Sequence, residues 1–216
     1  VKPRPDALRV LVVTGGHDYP TSFYSVFEGR PEWRWTHAAS NEEAFASEIV
    51  SRYDVLVLYD FVQALGEKGK GHLRAFAEAG KGIVVLHHAL ADYQDWPWFE
   101  ELAGGRYLMA DQGEWKASTY RHDVELFAKP AGKHSIVDPI GPMQLVDETY
   151  KGMRISPKVT PLLEIDHPDG DRYVAWVSPY QPSRVVAVQL GHDEHAHRSQ
   201  AYRDLVWNAI LWSAGK

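Results

Sequence analysis

The sequence predicts an α/β protein with a mainly parallel central sheet and helices packed on both of its faces. Short runs rich in Val and Leu, such as residues 8–13 (LRVLVV) and 83–86 (IVVL), have the composition of strands buried on both sides. Segments with helical signals separate these runs along the first half of the chain. Alternation of strands and helices at this spacing is typical of parallel sheets.

The first half of the chain contains four strand-like runs with helices between them. The predicted strands cover residues 8–13, 33–37, 54–59 and 83–86. We expect helices at residues 21–28, after Asn41 and at residues 67–79. Asn41 is the expected N-cap, because Glu42 and Glu43 follow it in the first turn, where carboxylates interact favourably with the helix dipole.

The second half contains short strand-like runs separated by turns rich in Pro, Gly and Asp. These runs cover residues 119–127, 143–146, 160–165, 173–177 and 184–189, and the PDGD segment at 168–171 is a strong hairpin signal. A last helix is predicted at residues 199–214. Because no repeat or long linker interrupts the chain, we interpret residues 1–216 as one domain in which residues 1–7 form a flexible lead-in.

Composition excludes several classes of function. The formal net charge is −6 and no Lys/Arg run is present, so we expect no nucleic-acid or membrane partner. No apolar stretch approaches the ~20 residues that cross a bilayer. The absence of cysteine excludes disulfides, a thiolate nucleophile and a thiolate metal site. The chain begins with Val1, which a cleaved signal peptide or a trimmed chain would both leave, so cytoplasm and periplasm both stay open.

Histidines follow several of the predicted strands directly. His17, His87, His88 and His192 each come after a strand-like run, and His195 lies in the same loop as His192. Parallel strands of one sheet end on the same edge, where ligands bind. We therefore expect His17, His87 and His192 to converge. They would hold a divalent metal such as zinc or, as imidazolium, an oxyanion.

The segment His87-His88-Ala89 occupies the position of a strand-to-helix elbow, where related folds carry a nucleophile. Neither Cys nor Ser is present there, so hydrolysis of glutamine through a covalent intermediate is not expected. We predict that His87 or His88 lies at the sharp turn and faces a pocket.

Carboxylates and aromatic residues accompany these histidines. Asp18 and Glu148 are the favoured acidic residues for chemistry, although a solvated surface is the alternative for each. The expected substrate-binding residues are Tyr19, Asp92, Tyr93, Tyr150, Asp193 and His195. The eight Trp and eleven Tyr residues either line a ligand pocket or fill a core rich in large side chains.

Six segments, in order along nearly the whole chain, resemble the motifs of the trehalose-utilisation (ThuA-like) family. They are VVTGGHDYP at 12–20, LHHA at 86–89, WFEELAGGRY at 98–107, DETY at 147–150, LGHD at 190–193 and the closing residues 207–212. One departure is His88, which stands where many relatives have a small residue.

The resemblance implies a flavodoxin-like, class I glutamine amidotransferase-like three-layer sandwich without amidotransferase chemistry. It also implies a role in bacterial carbohydrate catabolism, commonly beside oxidoreductases that make 3-keto sugars. We expect a lyase or hydrolase that takes a small carbohydrate substrate and no nucleotide cofactor. His17, His87 and His192 would bind the metal or oxyanion, Glu148 or Asp18 would be the base, and His88 would belong to the catalytic group.

Three readings of function stay open at this point. The first is the enzyme acting on oxidised sugars, either as a monomer or as a homo-oligomer. The second is a non-catalytic carbohydrate-binding or accessory domain, which the aromatic content favours. The third, glutamine or amide hydrolysis, rests on fold analogy alone.

Overall fold

The computed structural model describes residues 1–216 and contains eleven strands. They are β1 (Leu8–Val13), β2 (Trp33–Ala38), β3 (Val55–Leu58), β4 (Gly82–Leu86), β5 (Gly105–Arg106), β6 (Thr119–Pro130), β7 (Met143–Lys151), β8 (Arg154–Ile155), β9 (Thr160–Glu164), β10 (Tyr173–Val177) and β11 (Val185–Val188). Nine of these strands form one sheet, and β5 and β8 pair separately.

The large sheet has the order β2-β1-β3-β4-β11-β10-β9-β6-β7. Its first five strands are parallel, and the remaining strands are joined by antiparallel pairs. The difference follows from the sequence. β3 and β11 are buried along their whole length, whereas the second half of β6 alternates between buried and exposed residues.

Helices cover both faces of the parallel strands. They are α1 (Asn41–Ala44), α2 (Glu67–Glu78), α3 (Pro97–Ala103), α4 (Glu194–Arg198) and α5 (Gln200–Ser213). One core packs α5 residues such as Leu205 against Val10 and Val186, and the other packs α2 residues such as Phe76 against Leu56 and Ile83. The three layers confirm the predicted fold class. No helix combines the length and apolar character needed to cross a membrane.

Two local predictions were wrong. The helix expected at residues 21–28 is a shorter 3-10 segment, Thr21–Val26, whose buried residues Phe23 and Val26 hold it against the core. The N-cap of α1 is Ser40, whose Oγ accepts a hydrogen bond from the Glu43 N–H at 3.1 Å. Asn41 lies inside the helix, fully buried, and its amide donates to the Tyr93 hydroxyl at 3.3 Å.

Glycines bring two loops close to their neighbours at the carboxyl edge of the sheet. A Cβ on Gly16, which has φ +73°, would lie 2.0 Å from the Phe61 carbonyl oxygen. A Cβ on Gly191, with φ +118°, would lie 2.1 Å from the Tyr202 hydroxyl. Both positions require glycine for conformation and for space, and they hold the loops that carry His17 and His192.

Candidate functional site

The elbow after β4 is centred on His87. This residue has φ +49°, an uncommon conformation for a residue with a side chain, and it begins a 3-10 turn, His87–Ala91. Its Nδ1 lies 2.6 Å from the Gln189 carbonyl oxygen, which can only accept a hydrogen bond. The Nδ1 therefore carries the proton, and Nε2 of the neutral ring presents its lone pair to the site.

Three ligating side chains from different elements converge at the elbow. His87 Nε2 lies 3.1 Å from His192 Nδ1 and 3.4 Å from Glu148 Oε1. One ligating atom from each residue lies within 4.8 Å of the others. We call His87, Glu148 and His192 the elbow cluster. Two imidazoles and one carboxylate are a donor set suited to a divalent ion, and the Gln189 carbonyl fixes the ring of His87 as an outer partner does in metal sites.

Asp147 holds two parts of the elbow cluster together. Its carboxylate accepts hydrogen bonds from the backbone N–H groups of Gly191 at 2.7 Å and His192 at 2.9 Å. The Gln189 side-chain amide also donates to the Glu148 carbonyl oxygen at 2.9 Å. These bonds tie β7 to the loop after β11, so Glu148 and His192 are fixed relative to each other. Burial raises the pKa of Asp147 to about 6, against the influence of His87 and these N–H donors.

The protonation states suit the binding of a cation. Burial raises the pKa of Glu148, but its hydrogen bond with His87 and its electrostatic interactions with His87, His192 and His122 outweigh burial and leave that pKa below its usual value. Burial and the neighbouring His87 lower the pKa of His192. The carboxylate is therefore ionised and the His192 imidazole neutral near pH 7, which are the forms that bind metal ions.

His122 belongs to the site and was missed by the sequence analysis. Its Nδ1 lies 2.7 Å from Glu148 Oε2, and its ring centroid lies 4.7 Å from that of His192. The register of β6 against β7 shifts between Arg121 and Val124, and Asp123 has φ +54°. Bulges of this kind redirect side chains near functional sites. An irregularity in pairing leaves no signal in the strand pattern of one sequence.

A cavity of about 270 Å³ opens above the elbow cluster. It is lined by His17, Phe61, His87, His88, Ala91, Tyr107, Met109, Tyr120, His122, Glu148 and Tyr150. The Tyr150 hydroxyl lies 3.1 Å from His87 Nε2 and donates to it. Of the predicted site residues, the structure therefore brings His17, His87, His88, Glu148 and Tyr150 to one cavity, with His192 beside them.

His88 contributes a neutral imidazole to this cavity. Its Nε2 donates to the Tyr59 carbonyl oxygen at 2.9 Å, and its buried Nδ1 has no hydrogen-bond partner. Burial, together with the charges of His87 and His17, lowers its pKa well below the usual value. The prediction that His87 or His88 lies at the sharp turn and faces a pocket agrees with this geometry.

His17 lies near the elbow cluster but outside its ligating group. Its ring stacks on His88 with centroids 4.7 Å apart, and its centroid lies 6.2 Å from that of His192. The Nδ1 contacts the carbonyl oxygen of Asp18 at 2.5 Å. The ligating group therefore contains Glu148 in the place that the sequence assigned to His17.

Asp18 and Tyr19 do not reach the cavity. Asp18 is exposed, and only its backbone carbonyl contacts His17. The Tyr19 hydroxyl is hydrogen-bonded to Thr14 and Tyr24, which fixes this side chain inside the loop after β1. The loop after β1 thus directs the His17 ring toward the cavity and the side chains of Asp18 and Tyr19 away from it.

Asp193 and His195 likewise lie outside the cavity lining. The Asp193 carboxylate caps α4 by accepting from the His195 N–H at 2.8 Å, and it also pairs with the exposed His195 ring. A short helix that starts immediately after His192 turns these two side chains away. Their pattern in the sequence, a histidine-rich loop, is explained by helix capping.

Asp92 and Tyr93 are buried beside the turn, where they interact with Asp60. Asp92 accepts from the Val62 N–H at 2.7 Å, and the Tyr93 hydroxyl lies 3.4 Å from Asp60 Oδ2. Burial raises the pKa of Asp60 to about 7, and burial with the adjacent Asp60 raises the pKa of Asp92 well above its usual value. The two carboxyl groups therefore keep protons to higher pH than ordinary aspartates do, and neither Asp92 nor Tyr93 lines the cavity.

Comparison with known proteins places the chain in a family. The profile of the ThuA family, described as trehalose utilisation, matches residues 9–213. A ThuA-like protein from Parabacteroides merdae has a similar structure, with a TM-score of 0.83 and 16% identity over 97% of this chain and 91% of its own. A ThuA-like protein from Bacteroides uniformis gives a TM-score of 0.74 and 15% identity over 98% and 92% of the two chains.

A cytoplasmic protein from Salmonella typhimurium shares the fold, with a TM-score of 0.65 and 13% identity over 95% of this chain and 99% of its own. The comparison with curated proteins gave no significant match. Identities this low establish a common fold only, whereas the family profile covers almost the entire sequence. The motifs around His17, His87, Glu148 and His192 lie within the matched residues, and the chain belongs to the trehalose-utilisation (ThuA) family.

Proposed function

We propose that this protein is an enzyme of carbohydrate catabolism that acts on 3-keto sugars or glycosides. The observation that carries the proposal is the elbow cluster, in which His87, Glu148 and His192 bring their ligating atoms within 4.8 Å of one another beside a cavity. Membership of the trehalose-utilisation family supports the carbohydrate role. The absence of Cys and Ser from the elbow disfavours amide hydrolysis through a covalent intermediate.

The proposed reaction uses the acidity that a ketone gives to its neighbouring carbon. A base removes the proton from C2, and the electron pair of that C–H bond forms a C2–C3 double bond while the C3 carbonyl oxygen becomes an oxyanion. The C3 carbonyl then re-forms, and the electron pair of the C2–C3 double bond shifts to make a C1–C2 double bond. The bond between C1 and the glycosidic oxygen breaks, and that oxygen takes up a proton and leaves as an alcohol. Addition of water to the double bond would complete a net hydrolysis.

His87, Glu148 and His192 would hold a divalent cation such as zinc. The donor set fits, because His87 is fixed as the tautomer with an unprotonated Nε2 and Glu148 is an ionised carboxylate surrounded by imidazoles. When bound, the cation supplies positive charge that stabilises the oxyanion. The Tyr150 hydroxyl, 3.1 Å from His87 Nε2, is a further donor on the same side of the cavity.

His122 and Glu148 are the best-placed pair to move the C2 proton. Glu148 Oε2 lies 2.7 Å from His122 Nδ1, so the carboxylate holds the imidazole in a fixed orientation within reach of a proton in the cavity. His122 lines the cavity with about half of its side chain exposed. Asp18, the other candidate base from the sequence, is exposed outside this cavity and has no role in the proposal.

The test is turnover of 3-keto-trehalose and 3-keto-glucosides, followed by mass spectrometry with and without added divalent ions. We expect product from the wild-type protein and at least a roughly 100-fold lower kcat for Glu148→Gln, within the range for loss of a proton-transfer group. His195→Ala is the matched control, because this histidine is exposed and outside the cavity. If no 3-keto substrate is converted with any added metal, the proposal fails.

A non-catalytic carbohydrate-binding role is the second candidate, and the exposed Tyr120 and Met109 at the cavity mouth favour it. It predicts sugar binding that survives chelation and survives replacement of His87 and His192 by Ala. Isothermal titration calorimetry with trehalose in the presence of a chelator separates the two roles. Loss of binding under both conditions would count against the binding-domain candidate.

A further inference from the structure

The cavity changes in character between its inner end and its mouth. At the inner end lie the buried side chains of His87, Glu148 and Tyr150. At the mouth lie Tyr120, which is 59% exposed, and Met109, which is 45% exposed. Large apolar side chains left in water at the rim of a polar pocket are typical of a surface that contacts a ligand.

An aromatic wall connects the two ends. Tyr120 on β6 is the cross-strand partner of Tyr150 on β7, so their side chains emerge on the same face of the strand pair. Tyr150 stacks on His87 with centroids 5.1 Å apart, and the ring of Tyr107 lies 4.8 Å from that of Tyr150. The wall therefore runs from the elbow cluster, through half-buried Tyr107, to exposed Tyr120.

Position, and not exposure alone, sets Tyr120 apart. Phe127 lies on the same strand and is 54% exposed, but it is not part of the cavity lining. The ring of Tyr120 also packs against His122 with centroids 5.1 Å apart, which places it directly beside the proton-transfer pair. A group bound over Tyr120 would thus extend outward from a sugar held at the elbow cluster.

We propose that Tyr107, Met109 and Tyr120 form a leaving-group subsite, which selects substrates whose C1 substituent is itself a ring. This inference rests on the proposed function and specifies its substrate class. The ring is either a second sugar or an aryl group, since both present a flat apolar face to aromatic side chains. A small alkyl substituent at C1 would not reach the exposed Tyr120 ring and would gain no binding energy from contact with it.

The kinetic test compares 3-keto-glucosides that carry methyl, glucosyl or 4-nitrophenyl at C1. We expect Tyr120→Ala to lower kcat/KM by about tenfold for the two ring substituents, mainly through KM, and by less than about twofold for methyl. Phe127→Ala is the matched control and should change none of the three. Equal losses for all three substrates in Tyr120→Ala would overturn the subsite. The glucosyl and aryl arms show which ring is preferred.

A second measurement does not depend on turnover. Saturation-transfer difference NMR is recorded with the unoxidised glycosides trehalose, 4-nitrophenyl glucoside and methyl glucoside. We expect transfer to the C1 ring that is lost in Tyr120→Ala and retained in Phe127→Ala and Tyr120→Phe. Retained transfer without conversion of any 3-keto substrate would remove the proposed reaction but keep the subsite. No transfer to either ring in the wild-type protein would remove the subsite.

Discussion

Glu148 and the Asp60–Asp92 pair are both buried next to the elbow, yet their surroundings shift the pKa values of their carboxyl groups in opposite directions. Glu148 lies among His87, His122 and His192, and its pKa is below the usual value although burial opposes this. No cationic side chain is hydrogen-bonded to Asp60 or Asp92, and burial raises the pKa of both. Glu148 is therefore ionised and can bind a cation, whereas the two aspartates retain protons to higher pH than usual.

The comparison teaches that burial alone does not identify a functional carboxylate. Each of the three groups is under 10% exposed. The partners decide the direction of the shift: imidazoles from three elements surround Glu148, whereas a backbone N–H and a tyrosine hydroxyl contact the aspartates.

Removal of a ligand from the elbow cluster should have the largest effect. We expect His87→Ala and His192→Ala to weaken zinc binding by more than about 100-fold, beyond the loss typical of outer partners. His17→Ala should change the affinity little, because His17 lies outside the ligating group. Competition titration with a chromogenic chelator measures this. Equal losses in His17→Ala and His87→Ala would return His17 to the ligand set.

Asp147→Asn should weaken zinc binding at the elbow cluster by about 10- to 100-fold, although all three ligands are still present. The amide replaces one of two oxygens that accept from the Gly191 and His192 N–H groups, so the loop that carries His192 loses its fixed position. The same titration applies, with a circular dichroism spectrum to verify folding. An unchanged zinc affinity would show that β7 and this loop are held together by other contacts.

Asp92→Ala should destabilise the fold without depending on metal. The Val62 N–H would lose its acceptor, and an unsatisfied buried donor costs about 1–3 kcal/mol in the free energy of unfolding. Asp92→Asn retains an acceptor and should be milder. Urea denaturation of both variants, with and without zinc, provides the measurement. A destabilisation that is clearly larger with zinc than without it would show that Asp92 contributes to the cation site.

The same pair should make stability fall as pH rises. In the unfolded chain both aspartates lose their protons near pH 4. In the folded protein Asp60 keeps its proton up to about pH 7, and the pKa of Asp92 is also raised. Above pH 4 the folded state therefore binds more protons than the unfolded state, and each extra proton lowers the free energy of unfolding by about 1.4 kcal/mol per pH unit.

Asp92→Asn removes one of these protons. We therefore expect its unfolding free energy to decline less than that of the wild-type protein between about pH 4 and 7. Urea midpoints at several pH values in this window provide the comparison. Parallel pH profiles for the two proteins would show that Asp92 does not keep a proton in the folded state over this pH range.

The parallel half of the fold and its histidines could be predicted from the sequence. Runs such as LRVLVV signal buried strands, and residues after such strands meet at one edge, which correctly brought His87 and His192 together. Glu148 was found through its DETY segment. These signals are local in the chain, and the sheet converts them into proximity.

Other features depend on contacts that no local pattern encodes. His122 lies in the site because a bulge at Asp123 redirects the strand. Asp92 lies outside it, beside the carboxyl group of Asp60, which follows another strand. Asp193 was misassigned because a capping residue and a site residue look alike in a polar loop. Pairing irregularities and partners distant in sequence are therefore the limit of such prediction.

The contact between β7 and β11 also bears on how the protein avoids aggregation. β7 is the last strand of the sheet, and its outer edge would normally offer carbonyl and N–H groups to another chain. Here the sheet curls until the Glu148 carbonyl accepts from the Gln189 side chain and the Tyr150 carbonyl accepts from the Asp171 N–H. The half of β7 that carries Glu148 is thereby closed to strand addition by a neighbouring molecule.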